Sequence, residues 1–261
     1  MTKTPRIAII GSGALGGAIA RRWLATGCVT PDRLTVVGRS ATPLAGAPEV
    51  AATADAATAC AAAEVVLLAV PPAQAQTLDL GASRALVLSV MAGVTLRHLG
   101  RITGHSRIVR AMSSPAAERG LAWSPWLAPA DLAPDDRRLT RHLLSALGET
   151  AEVAQEAHID HFTALTGPVP GFVAAVAAAM IDHSVTQGLD RTTAERAVRQ
   201  LFHAAGLAMA EAADSPADQV QAMIDYDGTT AAGLRVLRDG PMARALAEAL
   251  EAAAERARHM A

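Results

Sequence analysis

The chain has 261 residues, a formal net charge of −2 and a hydrophobic share of 51%, enough apolar material to fill a core and to exclude disorder. It carries no basic stripe or Lys/Arg run, which argues against a nucleic-acid partner. Cys28 and Cys60 have neither zinc nor redox spacing, so they read as small buried apolar residues of a protein in the reducing cytoplasm. The few residues before Arg6 are too short for a secretory signal, and none is expected. Phe162–Ile181 could imitate a membrane span. It is mostly alanine and valine with Gly167, Pro168, Pro170 and Gly171 near its start, so the expectation is a buried helix and no membrane partner.

In chain order, Arg6–Gly11 predicts a buried strand, since Ile7 to Ile10 are continuously apolar. Ala14–Ala25 predicts a helix, and Leu34–Gly38 a second strand. Val65–Val70, Ala85–Val90 and Arg107–Ala111 predict a third, fourth and fifth strand. Leu121–Trp126 and Thr150–Val153 are candidates for one or two more, with a helix over about 135–147 between them. This alternation predicts an α/β fold with a doubly wound parallel sheet, a Rossmann domain, over residues 1–157. After about His158 the texture becomes helical and alanine-rich, without a convincing strand. Residues 158–261 are therefore expected to form a second, all-helical domain. Gly188, Ser215-Pro216 and Asp227-Gly228 divide that region into three or four helices, the last an amphipathic one over 242–260.

Gly11-Ser12-Gly13-Ala14-Leu15-Gly16 is a G-x-G-x-x-G that leaves a buried strand and opens a helix, the context dinucleotide binding requires. Gly11 permits the tight turn, Gly13 lets backbone approach a pyrophosphate, and Gly16 allows close helix–strand packing. The exposed N–H groups at the helix start then face the anion. The second strand ends in Gly38-Arg39-Ser40, with no acid between Leu34 and Ala41 to accept from ribose hydroxyls. Arg39 and Ser40 are instead suited to a ribose 2′-phosphate, so NADPH is favoured over NADH. The competing reading of Arg39 is a solvated surface arginine.

The chain resembles the pyrroline-5-carboxylate reductase family over nearly its whole length. The stretches that carry the resemblance are IAIIGSGALGGAIA, VLLAVPPAQ, LVLSVMAGVTL, IVRAMSSPA, TALTGPVPGF and, above all, DGTTAAGLRVL. The resemblance implies an N-terminal Rossmann domain and a C-terminal all-helical dimerisation domain that interlocks with a partner subunit. It implies hydride transfer from NAD(P)H to the C=N carbon of a cyclic imine, giving proline, in a homodimer or larger homo-oligomer. It also implies that Ala69, Val70 and Pro71, and Ala92 and Gly93 after the fourth strand, lie beside the cofactor. Thr166, Gly167 and Pro168 belong to a segment that lines the substrate pocket. By the same resemblance, Thr230 hydrogen-bonds near the imine nitrogen, while Gly228 and Thr229 present donors to the substrate's anionic group. A helix start attracts a carboxylate, so that placement is physically sound.

Three substrate-lining segments depart from the family pattern. Asp225-Tyr226-Asp227-Gly228-Thr229-Thr230 replaces Ser-Pro-Gly-Gly-Thr-Thr, Thr166–Gly171 replaces Ser-Gly-Ser-Gly-Pro-Ala, and Met112-Ser113-Ser114-Pro115 shortens Met-Pro-Asn-Thr-Pro. An ionised Asp225 at about 4 Å from a bound carboxylate would cost on the order of 4 kcal/mol at an effective dielectric near 20. Three readings follow. The substrate lacks a carboxylate or carries a cation; or Asp225 is protonated by burial and donates; or Asp225 points away and pyrroline-5-carboxylate is still taken. Asp225, Tyr226 and Thr230 are the candidate proton donors for the imine nitrogen. Tyr226, the only tyrosine, is equally readable as a packing residue.

The remaining signals are weaker. His158 and His161 share a helix face but lack a further ligand, so no metal site is expected. Asp182-His183 suits a cleft or an interface, and Trp123 and Trp126 read as packing residues. An NADPH-dependent imine reductase is the leading expectation, proline formation its default activity and a different imine its nearest rival. A carbonyl dehydrogenase of the 3-hydroxy acid type is disfavoured, because no lysine follows Lys3. A cofactor-binding sensor without turnover is the non-enzymatic alternative.

Overall fold

The structure is a computed structural model that describes residues 4–78, 80, 81, 83–167 and 171–258. Residues 1–168 with 250–261 form one compact unit, and residues 169–249 a second.

The first unit is built on one eight-stranded sheet. Its strands are β1 (Ile7–Ile10), β2 (Leu34–Val37), β3 (Ala51–Thr53), β4 (Val65–Leu68), β5 (Leu86–Ser89), β6 (Ile108–Ala111), β7 (Ala122–Leu127) and β8 (Gly148–Glu152). They lie in the order β3-β2-β1-β4-β5-β6-β7-β8. Every neighbouring pair is parallel except β6 and β7, which run antiparallel with Ala111 opposite Trp126. The connecting helices are α1 (Ala14–Ala25), α2 (Ala56–Ala62), α3 (Leu96–Thr103) and α4 (Pro134–Ser145), and α5 (Glu156–Thr166) follows β8. The strand order reverses at β1/β4, which opens a crevice beyond their carboxyl ends.

The continuous apolar runs have a simple cause. Side chains alternate across a strand, and both faces of this sheet are covered. Ile7, Ile9, Val65, Leu67, Leu86 and Leu88 pack on one face against Ile19 and Trp23 of α1. Ala8, Ile10, Val66, Leu68 and Val87 pack on the other, around Cys60 of α2 and Leu99 of α3. Trp23 is fully buried and its Nε1–H donates to the Leu143 carbonyl at 2.8 Å, which ties α1 to α4. The sequence reading did not include β3. It is a three-residue edge strand of Ala, Ala and Thr, too short to carry an apolar period.

The second unit holds α6 (Gly171–Thr186), α7 (Arg191–Glu211), α8 (Pro216–Asp225) and α9 (Thr229–Asp239), and α10 (Met242–Arg258) begins there. Among the described residues five helices follow residue 170 in place of the three or four expected, because Gly240-Pro241 adds a break between α9 and α10. Asp190 caps α7 by accepting from the Thr193 N–H at 3.0 Å, and Ser215 caps α8 by accepting from the Asp218 N–H at 3.2 Å.

One expectation is corrected here. The α6 part of the apolar stretch, from Gly171 to Ile181, is not buried within the single chain, since no residue of α6 is buried. Glu156–Thr186 is, by length and composition only, apolar enough to cross a membrane, which by itself is weak evidence that it does. Alanines on every side of α6 leave it without an amphipathic face, so the chain's own fold has no single stripe to bury.

Candidate functional site

In the first unit a cavity of about 380 Å³ opens at the carboxyl ends of β1, β2 and β4. Gly11, Gly13, Arg39, Ala69, Val70 and Pro71 of the expected set line it. Gly11 sits at φ 100°, a left-handed value, and a Cβ there would stand 2.8 Å from the Ala69 carbonyl oxygen. A Cβ on Gly16 would stand 2.0 Å from the Gly11 carbonyl oxygen, so Gly16 serves packing and not the cavity. Gly13 is the N-cap of α1, has no side-chain cap, and faces open space with nothing within 4 Å of an added Cβ. An uncapped helix start facing a cavity suits two linked phosphates. The residues present therefore fit a dinucleotide.

The other expected cofactor residues lie off this lining. Ser12 is half-buried, with its Oγ 3.9 Å from where a Gly38 Cβ would be. Ala14 is exposed at the start of α1, and Leu15 packs on the core. Ser40 shares a 2.8 Å hydrogen bond with Thr42, while Arg39 is exposed at the cavity with no acid among the described lining residues. Ala41 just beyond is in the left-handed region at φ 47°, and its N–H donates to the Gly38 carbonyl at 3.0 Å, which folds this loop tightly back. Ala92 and Gly93 form the turn after β5, Gly93 with φ 73°. Ala54, Gln74 and Leu78 also line the cavity and were not singled out; Gln74 ends the stretch VLLAVPPAQ, while no motif marks Ala54 or Leu78.

A buried arginine that sequence reasoning missed lies near the same end of the sheet. Arg110 on β6 is 1% exposed and pairs with Asp160 and, at 3.0 Å, with Glu156, both on α5. Glu156 also accepts from the Leu96 N–H at 2.7 Å. One acid thus joins α5 to the start of α3, just after the Ala92-Gly93 turn. Thr166 and Gly167 end α5. The Thr166 hydroxyl donates to the Phe162 carbonyl at 2.9 Å, and Gly167 lies so close to Met112 that a Cβ would be 2.7 Å from its Cε. Pro168, the third member of that expected segment, lies outside the described residues. Ser113 and Ser114 are buried, and the Ser113 and Ser124 hydroxyls share a 3.0 Å hydrogen bond. His158 and His161 are exposed on α5, and among the described residues no cluster of His, Cys, Asp and Glu could hold a metal ion.

In the second unit a groove of about 500 Å³ is lined by Asp214, Gln219, Ala222, Met223, Tyr226 and the Gly228-Thr229-Thr230 start of α9. Gly228 is the N-cap of α9 and no side chain caps it. Tyr226 is 87% exposed, so it is not a packing residue of the single chain. Asp225 and Asp227 are absent from the lining. Asp225, exposed at the end of α8, accepts from Gln221 Nε2 at 2.7 Å. Asp227 stands at φ 57° and pairs with Arg235 Nη2 at 2.7 Å. Asp214, the one carboxylate among the described lining residues, was not expected, and no sequence signal distinguishes it.

The fold and the cavity suit a dinucleotide-binding domain, and the chain's relatives make it an NAD(P)H-dependent oxidoreductase. Residues 6–93 match the family model described as NADP oxidoreductase coenzyme F420-dependent, and residues 156–260 match that of pyrroline-5-carboxylate reductase dimerisation. The pyrroline-5-carboxylate reductase of Synechocystis sp. is 30% identical over 98% of this chain and 98% of its own length. That of Pasteurella multocida is 31% identical over 76% of this chain and 74% of its own. The structure of a pyrroline-5-carboxylate reductase from Coxiella burnetii superposes with a TM-score of 0.88 at 26% identity, covering 99% of each chain. The Plasmodium falciparum pyrroline carboxylate reductase with NADP bound shares the fold at a TM-score of 0.83 and 20% identity, over 100% of this chain and 99% of that one. The chain belongs to the pyrroline-5-carboxylate reductase family. Its helical region is a dimerisation domain of that family, so the chain is built to associate with copies of itself.

Proposed function

We propose that this chain is an NADPH-dependent reductase of 1-pyrroline-5-carboxylate, acting as a homodimer or larger homo-oligomer. Residues 1–157 bind the dinucleotide, and residues 158–261 form the substrate and dimerisation domain. The observation that carries the reading is that neither of the acids replacing the family's neutral residues caps the start of α9 or lines the groove there. Asp225 is held by Gln221 and Asp227 by Arg235, so neither carboxylate lines the groove at Gly228-Thr229-Thr230. The close like-charge contact that Asp225 or Asp227 would make with a substrate carboxylate at the start of α9 is thereby relieved, and Asp214 is the carboxylate that stays on the lining.

In this reading the turn from Gly11 to Gly16 holds the linked phosphates, and Arg39 with Ser40 receives the 2′-phosphate. A bound NADPH supplies the hydride. The N–H groups at the start of α9 and the Thr229 hydroxyl hold the substrate carboxylate. As the C=N carbon is reduced, the π pair moves to nitrogen, which needs a proton. Tyr226 and Thr230, both on the groove, are assigned to deliver or hold it, in preference to Asp225. Asp214 on the same lining suits the cationic protonated imine. Self-association covers the exposed apolar side chains of α6 and α7, among them Val173, Val176, Met180 and Leu201. The cytoplasmic setting remains part of this reading, since Cys28 and Cys60 are both thiols outside any disulfide.

The test is NADPH oxidation by the full chain with pyrroline-5-carboxylate, beside neutral 1-pyrroline and other cyclic imines, and with NADH in parallel. The expected result is a preference of about tenfold or more for the carboxylate-bearing imine and for NADPH. Equal or better turnover of the neutral imine would show that the site takes a different substrate. Tight NADPH binding without turnover of any imine would show a sensor.

A further inference from the structure

We propose that Arg235 is a specificity-determining residue, which holds the Asp227 carboxylate off the N-terminus of α9 and so keeps that end open to a substrate carboxylate. The inference rests on the reading above that the start of α9 receives the substrate's anionic group.

Asp227 immediately precedes the N-cap Gly228. An acid at a helix entry is drawn to the unsatisfied first-turn N–H groups and to the positive end of the helix dipole. This chain uses that attraction elsewhere. At the N-cap itself, Asp55 accepts from the Thr58 N–H at 3.0 Å on α2 and Asp190 from the Thr193 N–H at 3.0 Å on α7, whereas Asp227 stands one position before its helix's N-cap. At α9 the acid is present but does not cap. It is drawn aside from within α9 itself. Arg235 reaches back so that its Nη2 donates to Asp227 Oδ1 at 2.7 Å and to the Ile224 carbonyl at 3.3 Å. The second bond anchors the guanidinium to the end of α8 and fixes the direction in which it pulls.

The backbone assists. At φ 57° Asp227 holds a conformation that glycine and, among other residues, Asn and Asp adopt most readily. The other acid of the turn, Asp225, is occupied by Gln221. Asp214 lines the groove but is not adjacent to the α9 start in sequence. Asp227 is therefore the carboxylate best placed to compete with an anionic ligand, and Arg235 is the group that prevents it. Arg235 itself is absent from the groove lining, so it acts through Asp227 and not on substrate.

The test compares the full-length wild type with R235M and R235M/D227G, using pyrroline-5-carboxylate and neutral 1-pyrroline as substrates. R235M should raise KM for pyrroline-5-carboxylate by about fivefold to tenfold, with kcat little changed and KM for 1-pyrroline within about twofold. Adding D227G should return KM for pyrroline-5-carboxylate toward the wild-type value, since glycine accepts φ 57° and brings no charge. Sedimentation and circular dichroism confirm that each variant is folded and associated. R235M acting alike on both substrates, leaving both unchanged, or failing to respond to D227G would overturn the assignment. A wild-type chain that reduces 1-pyrroline but not pyrroline-5-carboxylate, or that reduces neither, overturns the underlying reading and the assignment with it.

Discussion

Gly13 and Gly16 are three residues apart, and the same substitution should act on them in opposite ways. A methyl on Gly16 meets backbone at 2.0 Å, so G16A should lower stability by about 2 kcal/mol or more in chemical unfolding and lose NADPH as a consequence. A methyl on Gly13 meets nothing within 4 Å, so G13A should fold with an almost unchanged midpoint yet weaken NADPH binding at least about tenfold in titration calorimetry. If G13A binds NADPH normally, the cavity at β1 and β4 is not the pyrophosphate site. Arg39 is separable by cofactor: R39M should raise KM for NADPH by an order of magnitude or more and leave KM for NADH nearly as it was. Equal loss for both cofactors would refute the 2′-phosphate role. These residues were legible in the chain because they sit within a few positions of one another around β1 and β2. Ala54 and Leu78, on the same cavity, were not, because they arrive from separate segments that no motif marks.

At the scale of elements, Arg110 shows how a buried charge joins pieces that are distant in the chain. Its partner Asp160 lies 50 residues further on, and with Glu156 it holds α5 against β6. Removing one side of a buried pair leaves the other uncompensated, so R110M should cost about 3–5 kcal/mol in urea unfolding. E156Q, at a half-buried partner, should cost less. A near-neutral R110M would mean the pair is not holding α5. The cap of α7 gives a pH signature. The Thr193 hydroxyl and N–H hold the Asp190 carboxyl below its ordinary value of 3.8. A carboxyl depressed in the folded chain stabilises it fully above the unfolded pKa and loses that contribution as pH falls through the lower folded value. The unfolding midpoint of D190N, which caps without titrating, should therefore depend less on pH below about 4 than that of the wild type. Parallel midpoints through that range would remove Asp190 from the acid response.

At the scale of the whole molecule, the second unit is the part that cannot bury its apolar residues within one chain. Val173, Val176, Met180, Leu207 and Met209 are exposed on α6 and α7, more apolar surface than a solitary monomer usually shows. The family's dimerisation domain covers this region. V176E should therefore shift the chain toward monomer in sedimentation velocity and lower its thermal midpoint by several degrees, the latter in a concentration-dependent way. A wild-type chain that stays monomeric at micromolar concentration would contradict this. The alanine-rich stretch reads as a buried helix because composition reports that a surface wants covering, not whether the same chain or a second copy covers it.

The amino-acid sequence by itself determined the strand runs, the helix starts and the glycine turn, because these follow from period, chain stiffness and hydrogen bonding over a few residues. The family's motifs were legible for the same reason. The tertiary structure alone decided where Asp225 and Asp227 direct their charge, since that depends on Gln221 one helical turn back and on Arg235 two turns ahead. It also decided that Arg110 lies buried between two acids from a distant helix. Charges act through space, and their partners are chosen by packing, which no local pattern encodes.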